Sequence, residues 1–219
     1  MKDASLADVI RFELPLSPDG IEQPLADGGR VLLRPIRSDD AEQLSAGFER
    51  LSERSRFLRF FTPMRSLPDG WVDRLSDLDH RTHRAWVAYD PDAPDAAPPG
   101  LGVGVARLVE VPGDPTTAEV AFAVTDDYHG RGIGRLLLHI VAGTASASGY
   151  AVLAAEVLRE NTPMRTLLRE LGDPVSVTSD GATVRVEVSL AAADDADVVQ
   201  GALYDLLRLA ATIDPEVNP

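Results

Sequence analysis

The sequence predicts an α+β fold built on a mixed central β-sheet of about seven strands flanked by helices. Three observations carry that expectation. The elements run strand, helices, three strands, helix, strand, helix, two strands. Ala151–Val157 is a near-continuous apolar run, of the kind found in a strand covered on both faces. The turn Pro112-Gly113-Asp114-Pro115 joins two alternating segments into an antiparallel hairpin. With 219 residues, and roughly 150 per domain as a guide, the chain makes one domain plus an appended element.

Residues 1–29 carry Pro15, Pro18, Gly20, Pro24, Gly28 and Gly29, which break any long element, and read as an N-terminal extension. The domain proper spans 30–190. It opens on a strand at Arg30–Ile36, and Ser38 starts an N-cap run into a helix reaching about Leu51. Leu44, Phe48 and Leu51 recur there at helical spacing. Residues 53–61 and 71–78 are two shorter helices. Ala85–Tyr89 is a strand, and the Pro- and Asp-rich stretch 90–100 a loop. Leu101–Val111 and Thr117–Val124 form the hairpin. Gly132–Ser148 is a strong helix, Asn161–Leu171 another that Gly172 ends, and 175–178 with 182–190 a closing hairpin around Ser179-Asp180-Gly181. Residues 191–219 hold a last amphipathic helix and tail. Its stripe of Val198, Val199, Leu203, Leu206 and Leu207 leaves core cover and a homodimer contact both open.

Composition removes several functions. Cysteine is absent, so disulfides, thiolate nucleophiles and Cys-ligated metal sites are excluded. Twenty of the 21 basic residues are Arg, and the one lysine is Lys2. A Walker A loop or a pyridoxal Schiff base needs a lysine inside the fold, so both classes fall. A net charge of -14 argues against nucleic acid, whose binding rests on cations neutralising phosphates. The charged start is not a secretory signal, and the longest uncharged run, Ile140 to Ala155, is too short to span a bilayer. No membrane partner and a cytoplasmic location are therefore expected.

Chemistry concentrates in Ala118–Leu138, AEVAFAVTDDYHGRGIGRLLL. An alternating strand runs through Tyr128-His129-Gly130-Arg131-Gly132-Ile133-Gly134 directly into a helix. Glycines let the backbone bend sharply and let a ligand approach closer than a Cβ permits. The first unpaired N–H groups and the positive end of the helix dipole then converge on one place, suited to a phosphate or pyrophosphate. The spacing is not that of a dinucleotide fingerprint, since counting from Gly130 the last glycine position falls on Arg135.

His129-Gly130-Arg131-Gly132-Ile133-Gly134 resembles the acetyl-CoA-binding motif of the GNAT N-acetyltransferase superfamily, Gln/Arg-x-x-Gly-x-Gly/Ala, with His129 standing for the usual Gln or Arg. The resemblance covers roughly residues 30–190 in element order. It implies a GNAT fold splayed between the fourth and fifth strands and acetyl-CoA as co-substrate. It also implies that the N–H groups of His129, Gly130, Arg131, Gly132, Ile133, Gly134 and Arg135 hold the pyrophosphate. The backbone of Phe122, Ala123 and Val124 would pair with the pantetheine arm as an added strand, and Asn161 would contact the cofactor. More narrowly, LRPIRSDDAEQL, LSERSRFLRFF and AEVAFAV with HGRGIG are similar to Pat-type bacterial protein lysine acetyltransferases. In those enzymes the Glu of the matching strand is the general base, here Glu119. The resemblance further implies direct attack by an amine, with the oxyanion held by a strand N–H near Val124.

The residues support Glu119 independently. An alkylammonium of pKa about 10.4 must lose a proton before it attacks a thioester, and a nearby carboxylate supplies the base. Alternation puts Glu119 on one face with Ala121 and Ala123, leaving room beside it. The Tyr that many relatives use to protonate the departing thiolate is replaced by Leu168, so no acid is assigned. Metal ligation at His80 and His83 lacks a third ligand motif, and these residues read as a solvated helix end. His139 reads as packed or partly exposed. Arg54, Arg56 and Arg59 either line an acceptor entrance or simply solvate a helix that buries its phenylalanines. The rivals to a protein lysine acceptor are a small-molecule amine and a non-catalytic acyl-CoA-binding module.

Overall fold

A computed structural model describes residues 20–94, 96–172 and 174–190. The predicted C-terminal helix lies outside them, as does Tyr204. The α+β architecture is present, on eight strands rather than about seven. They run β1 (Ile21–Pro24), β2 (Arg30–Pro35), β3 (His83–Asp90), β4 (Leu101–Val111), β5 (Asp114–Val124), β6 (Val152–Leu158), β7 (Pro174–Asp180) and β8 (Thr183–Ser189). Their order is β1-β2-β3-β4-β5-β6-β8-β7, and every pair is antiparallel except β5 with β6.

The additional strand, β1, falls inside the stretch read as an extension. It pairs with β2 through Ile21↔Leu33 and buries Ile21. Four residues between Gly20 and the turn at 25–29 are too few to show a period, so pairing rather than pattern creates this edge strand. The turn between β4 and β5 is tighter than expected. Only Val111↔Asp114 encloses it, and Gly113 takes the left-handed φ of 84° that the bend requires.

Two helix layers cover the sheet. The helix α4 (Ile133–Ala147) packs on β3, β4 and β5, burying Leu137, Leu138 and Val141 completely. Each such side chain contributes about 1.5–3 kcal/mol by leaving water. The indole N–H of Trp86 donates to Thr144 Oγ1 at 3.0 Å, tying the helix to β3. The helix α5 (Thr162–Glu170) lies beside it, its N-terminus capped by Asn161 Oδ1, which accepts from Met164 N–H at 3.2 Å. On the opposite face α1 (Ala41–Arg50), α2 (Glu53–Phe60) and α3 (Trp71–Ser76) cover the β2–β4 half. Among the described residues no helix lies over that face of β6 and β8, where Glu156, Arg185 and Glu187 stand in register with Ala154 and Glu119.

Beneath α1 a buried network holds the layers together. Arg34 donates to both oxygens of Asp40, at 2.7 and 2.6 Å, and Asp40 also accepts from Tyr89 Oη. Burial opposes ionisation of Asp40, but the bonds from Arg34 and Tyr89 outweigh it and hold the carboxyl below its ordinary range. His80 and His83 do not form a solvated helix end. His83 opens β3 and comes within 3.4 Å of Arg107, because β3 begins two residues earlier than its apolar stretch.

Candidate active site

β5 and β6 pair at Thr117↔Val152, Ala118↔Leu153 and Glu119↔Ala154, and then part. Beyond Glu119 the peptide groups of β5 alternate in direction. Thr125 N–H donates to Val103 O at 2.9 Å, so the N–H and C=O groups of odd-numbered residues face β4 and those of Phe122 and Val124 face away from it, into the gap. The gap widens into a cleft of about 960 Å³ whose walls include residues 119–124, the turn at 128–130 and 132–135, and one side of α5.

At the end of β5 the chain makes a short 3-10 turn, Asp126–Tyr128, and then the glycine turn. Gly130 and Gly132 have φ of 78° and 90°, and a Cβ on either would stand in open space. The turn therefore presents bare backbone to the cleft. Among the described residues no side chain caps α4, whose first hydrogen bond runs from Leu136 N–H to Gly132 O at 3.1 Å. The N–H groups of Ile133, Gly134 and Arg135 precede that bond and are the donors a helix start offers an anion. His129, in place of Gln or Arg, shares a hydrogen bond of 2.8 Å between its Nε2 and Val124 O. It closes the turn back onto the end of β5.

The other site candidates divide. Glu119 lines the cleft with 44% of its side chain exposed, and Arg185 Nη1 lies 3.3 Å from its Oε2. Ala123 contributes wall, while its own peptide pairs towards β4. Asn161 lines the cleft while capping α5. Arg131 turns away to Asp27, at 2.5 Å, and stacks over the Tyr128 ring, while Arg135 pairs with Glu170 at 2.6 Å. Both therefore offer the cleft backbone more than side chain. Leu168 is 1% exposed and belongs to the core.

Two features lay beyond the sequence. Asp126 accepts from Ser52 N–H at 2.8 Å and from the hydroxyls of Ser52 and Ser55 at 2.6 and 2.9 Å. These bonds tie the start of α2 to the residue just after β5. Burial opposes ionisation of Asp126, and the serine bonds overcome it to hold the carboxyl low. The partners are 74 and 71 positions apart, and no local pattern marks them. The second is Arg107, 4% exposed, which donates to Leu75 O at 2.6 Å and lies against His83. Burial, with Arg59 adding to it, pushes its guanidinium down to about 9, still protonated at neutral pH. The three arginines of α2 also separate. Arg56 is structural, stacking on Phe48 at 4.5 Å and donating to Phe48, Glu49 and Arg65 carbonyls. Arg54 and Arg59 line the cleft.

Comparison with known proteins agrees with this geometry. The family described as the acetyltransferase (GNAT) domain matches residues 30–172. The chain belongs to the GNAT acetyltransferase family. Acetyltransferase Pat of Mycolicibacterium smegmatis is 33% identical over 165 residues, 74% of this chain and 46% of that protein. The chain thus spans about half the length of that curated relative. The GNAT domain of S. lividans PAT superposes with a TM-score of 0.69 at 29% identity, covering 81% of this chain and 99% of that one. YncA of Salmonella typhimurium, solved with acetyl-CoA, shares the fold at a TM-score of 0.58 and 16% identity over 73% of this chain and 94% of that one.

Proposed function

We propose that the chain transfers the acetyl group of acetyl-CoA to an amine, a protein lysine ε-amine, by direct attack with Glu119 as general base. The observation that carries this reading is the place of Glu119. It stands where β5 and β6 part, beside the Phe122 and Val124 N–H groups that face the gap and on the wall that continues to the N-terminus of α4. The bare turn at Gly130 and Gly132 fits a pyrophosphate, and the open strand edge fits the amides of a pantetheine arm. Acetyl-CoA supplies the activated acyl group.

Each remaining group has a stated task. Glu119 accepts the ammonium proton, directly or through a water. The Val124 N–H, on the residue whose carbonyl His129 holds, donates to the oxyanion. The described tyrosines near the site are committed elsewhere: Tyr128 Oη donates to Asp90 at 2.8 Å and Tyr150 Oη to Glu110 at 3.1 Å. A thiolate whose thiol has a pKa near the free-Cys value of about 8.5 leaves with water as the acid. A protein acceptor is supported by the Pat-named relatives and by the charged face of β6 and β8 beside Glu119, which suits an extended segment better than a closed pocket does.

Incubation of lysate proteins with labelled acetyl-CoA, read by mass spectrometry, tests the acceptor. Labelled lysines that vanish with Glu119→Gln support it. Labelling of small amines with none on protein overturns the acceptor class, and binding without any turnover returns the non-catalytic module.

A further inference from the structure

A second cavity, about 80 Å³, lies between the sheet and α1–α3 and meets the cleft at Leu51, Arg59 and Ala123, which line both. Most of its wall is apolar: Leu44, Phe48, Leu51, Phe60, Leu75 and Val87. Two guanidiniums, Arg59 and Arg107, face it as well. Among the described residues neither makes an ion pair, although the chain carries 35 acidic side chains. Arg107 is satisfied by neutral groups alone, the Leu75 carbonyl and His83. Arg59 lies over the face of Phe60, at 4.9 Å.

The other charges around the cavity do not neutralise this pair. Asp40 also lines it, but both of its oxygens are taken by Arg34, and Tyr89 adds a further bond. Glu119 lies within electrostatic range of Arg59, yet its ion pair is with Arg185. His83 is held towards its neutral form by burial and by Arg107. Two like charges sharing an apolar pocket are costly unless an anion joins them. Such a site accepts a carboxylate from a ligand, and guanidiniums match that group's geometry.

The register gives the ligand its length. Val109 stands directly opposite Glu119, and Arg107 opposite Ala121, all on one face. Arg107 is therefore the diagonal neighbour of Glu119, about 7–8 Å away at the start of the side chains. The geometry points to a carboxylate-binding site formed by Arg59 and Arg107, filled by a carboxylate that the acceptor carries within reach of the pair while its amine is at Glu119. The source of that carboxylate is an acidic residue flanking the target lysine or the α-carboxylate of a free amino acid. This inference rests on the amine-acceptor reading above and adds the acceptor's specificity to it.

The test has two arms. In the first, kcat/KM is measured on lysine peptides with Asp or Glu against Asn or Gln at each flanking position, and on Nα-acetyl-lysine against its amide. A charge-assisted contact predicts that the carboxylate member of one pair is preferred by about tenfold to a hundredfold. That preference falls to about one in Arg107→Gln and Arg59→Gln. Arg59→Gln, on the more accessible side chain, keeps the test open should the buried Arg107 variant fail to fold. In the second arm, the Arg Nε–H resonances of the whole protein are followed by NMR while propionate or propionamide is added. Resonances that Arg59→Gln and Arg107→Gln remove should move with propionate and not with propionamide. Stationary resonances overturn the site. Resonances that move while every acceptor pair reacts equally overturn its role in acceptor choice. If no amine is acetylated at all, the proposed function fails, and the NMR arm still decides whether the anion site exists.

Discussion

His129 shows how a changed letter preserves a task. On the proposed reading, backbone N–H groups bind phosphate at this turn, which leaves the side chain at 129 to clamp Val124 O. Its removal by His129→Ala should weaken acetyl-CoA binding by about twofold to tenfold, the worth of one hydrogen bond, and His129→Gln should recover part of it. Calorimetric titration with acetyl-CoA checks both. Gly132 is more demanding, because its φ of 90° is one that side-chain-bearing residues rarely adopt. Gly132→Asp adds strain and a like charge where the proposed phosphate site lies, so the rise in melting temperature given by acetyl-CoA should disappear. The glycines were legible in the sequence because backbone chemistry needs them there. The roles of Asp126 and Arg107 were not, because both depend on partners that only the fold brings together.

At the scale of elements, long periodic segments were legible and short paired ones were not. The helix α4 lies within one residue of its expected bounds because Ile133, Leu136, Leu137, Ile140 and Val141 repeat at helical spacing. β1 escaped because its four residues owe their strand to β2. Element packing rests on the buried Arg34–Asp40 pair. Asp40→Asn leaves Arg34 without its counter-charge and should cost about 3–5 kcal/mol, measured by urea unfolding at neutral pH. The native carboxyl is held below its ordinary value, so its stabilising contribution is present above the unfolded pKa of about 3.9. It is lost as pH falls through the lower native value. The gap in stability between the two proteins should therefore close below about pH 4 and stay open at pH 7. A gap that persists in acid would mean that the Asn costs shape rather than charge.

Across the whole molecule, the sheet does two things that no single element does. Its parallel junction between β5 and β6 lets the strands part and frees a peptide edge, while the glycine turn at the end of β5 aims a helix start at the same opening. Among the described residues no helix covers the face beside β6 and β8, and Glu119 stands where that face meets the cleft. The order of elements and the turn motif made this arrangement readable from sequence; the alternation that turns Phe122 and Val124, but not Ala123, into the gap came from register.

The central claim is that Glu119 acts as the base, and the pH dependence of Glu119→Gln tests it most directly. Gln keeps the shape and hydrogen-bonding reach and removes the basicity. Under conditions where single-turnover kinetics show chemistry to be limiting, turnover should fall by about 10²–10⁴-fold at neutral pH, with acetyl-CoA affinity nearly unchanged. The deficit should shrink as pH rises towards the amine's own pKa of about 10.4, where the acceptor needs less help. Turnover close to that of the native protein at every pH would contradict the claim, and a joint collapse of cofactor affinity and melting temperature would make Glu119 a structural residue instead.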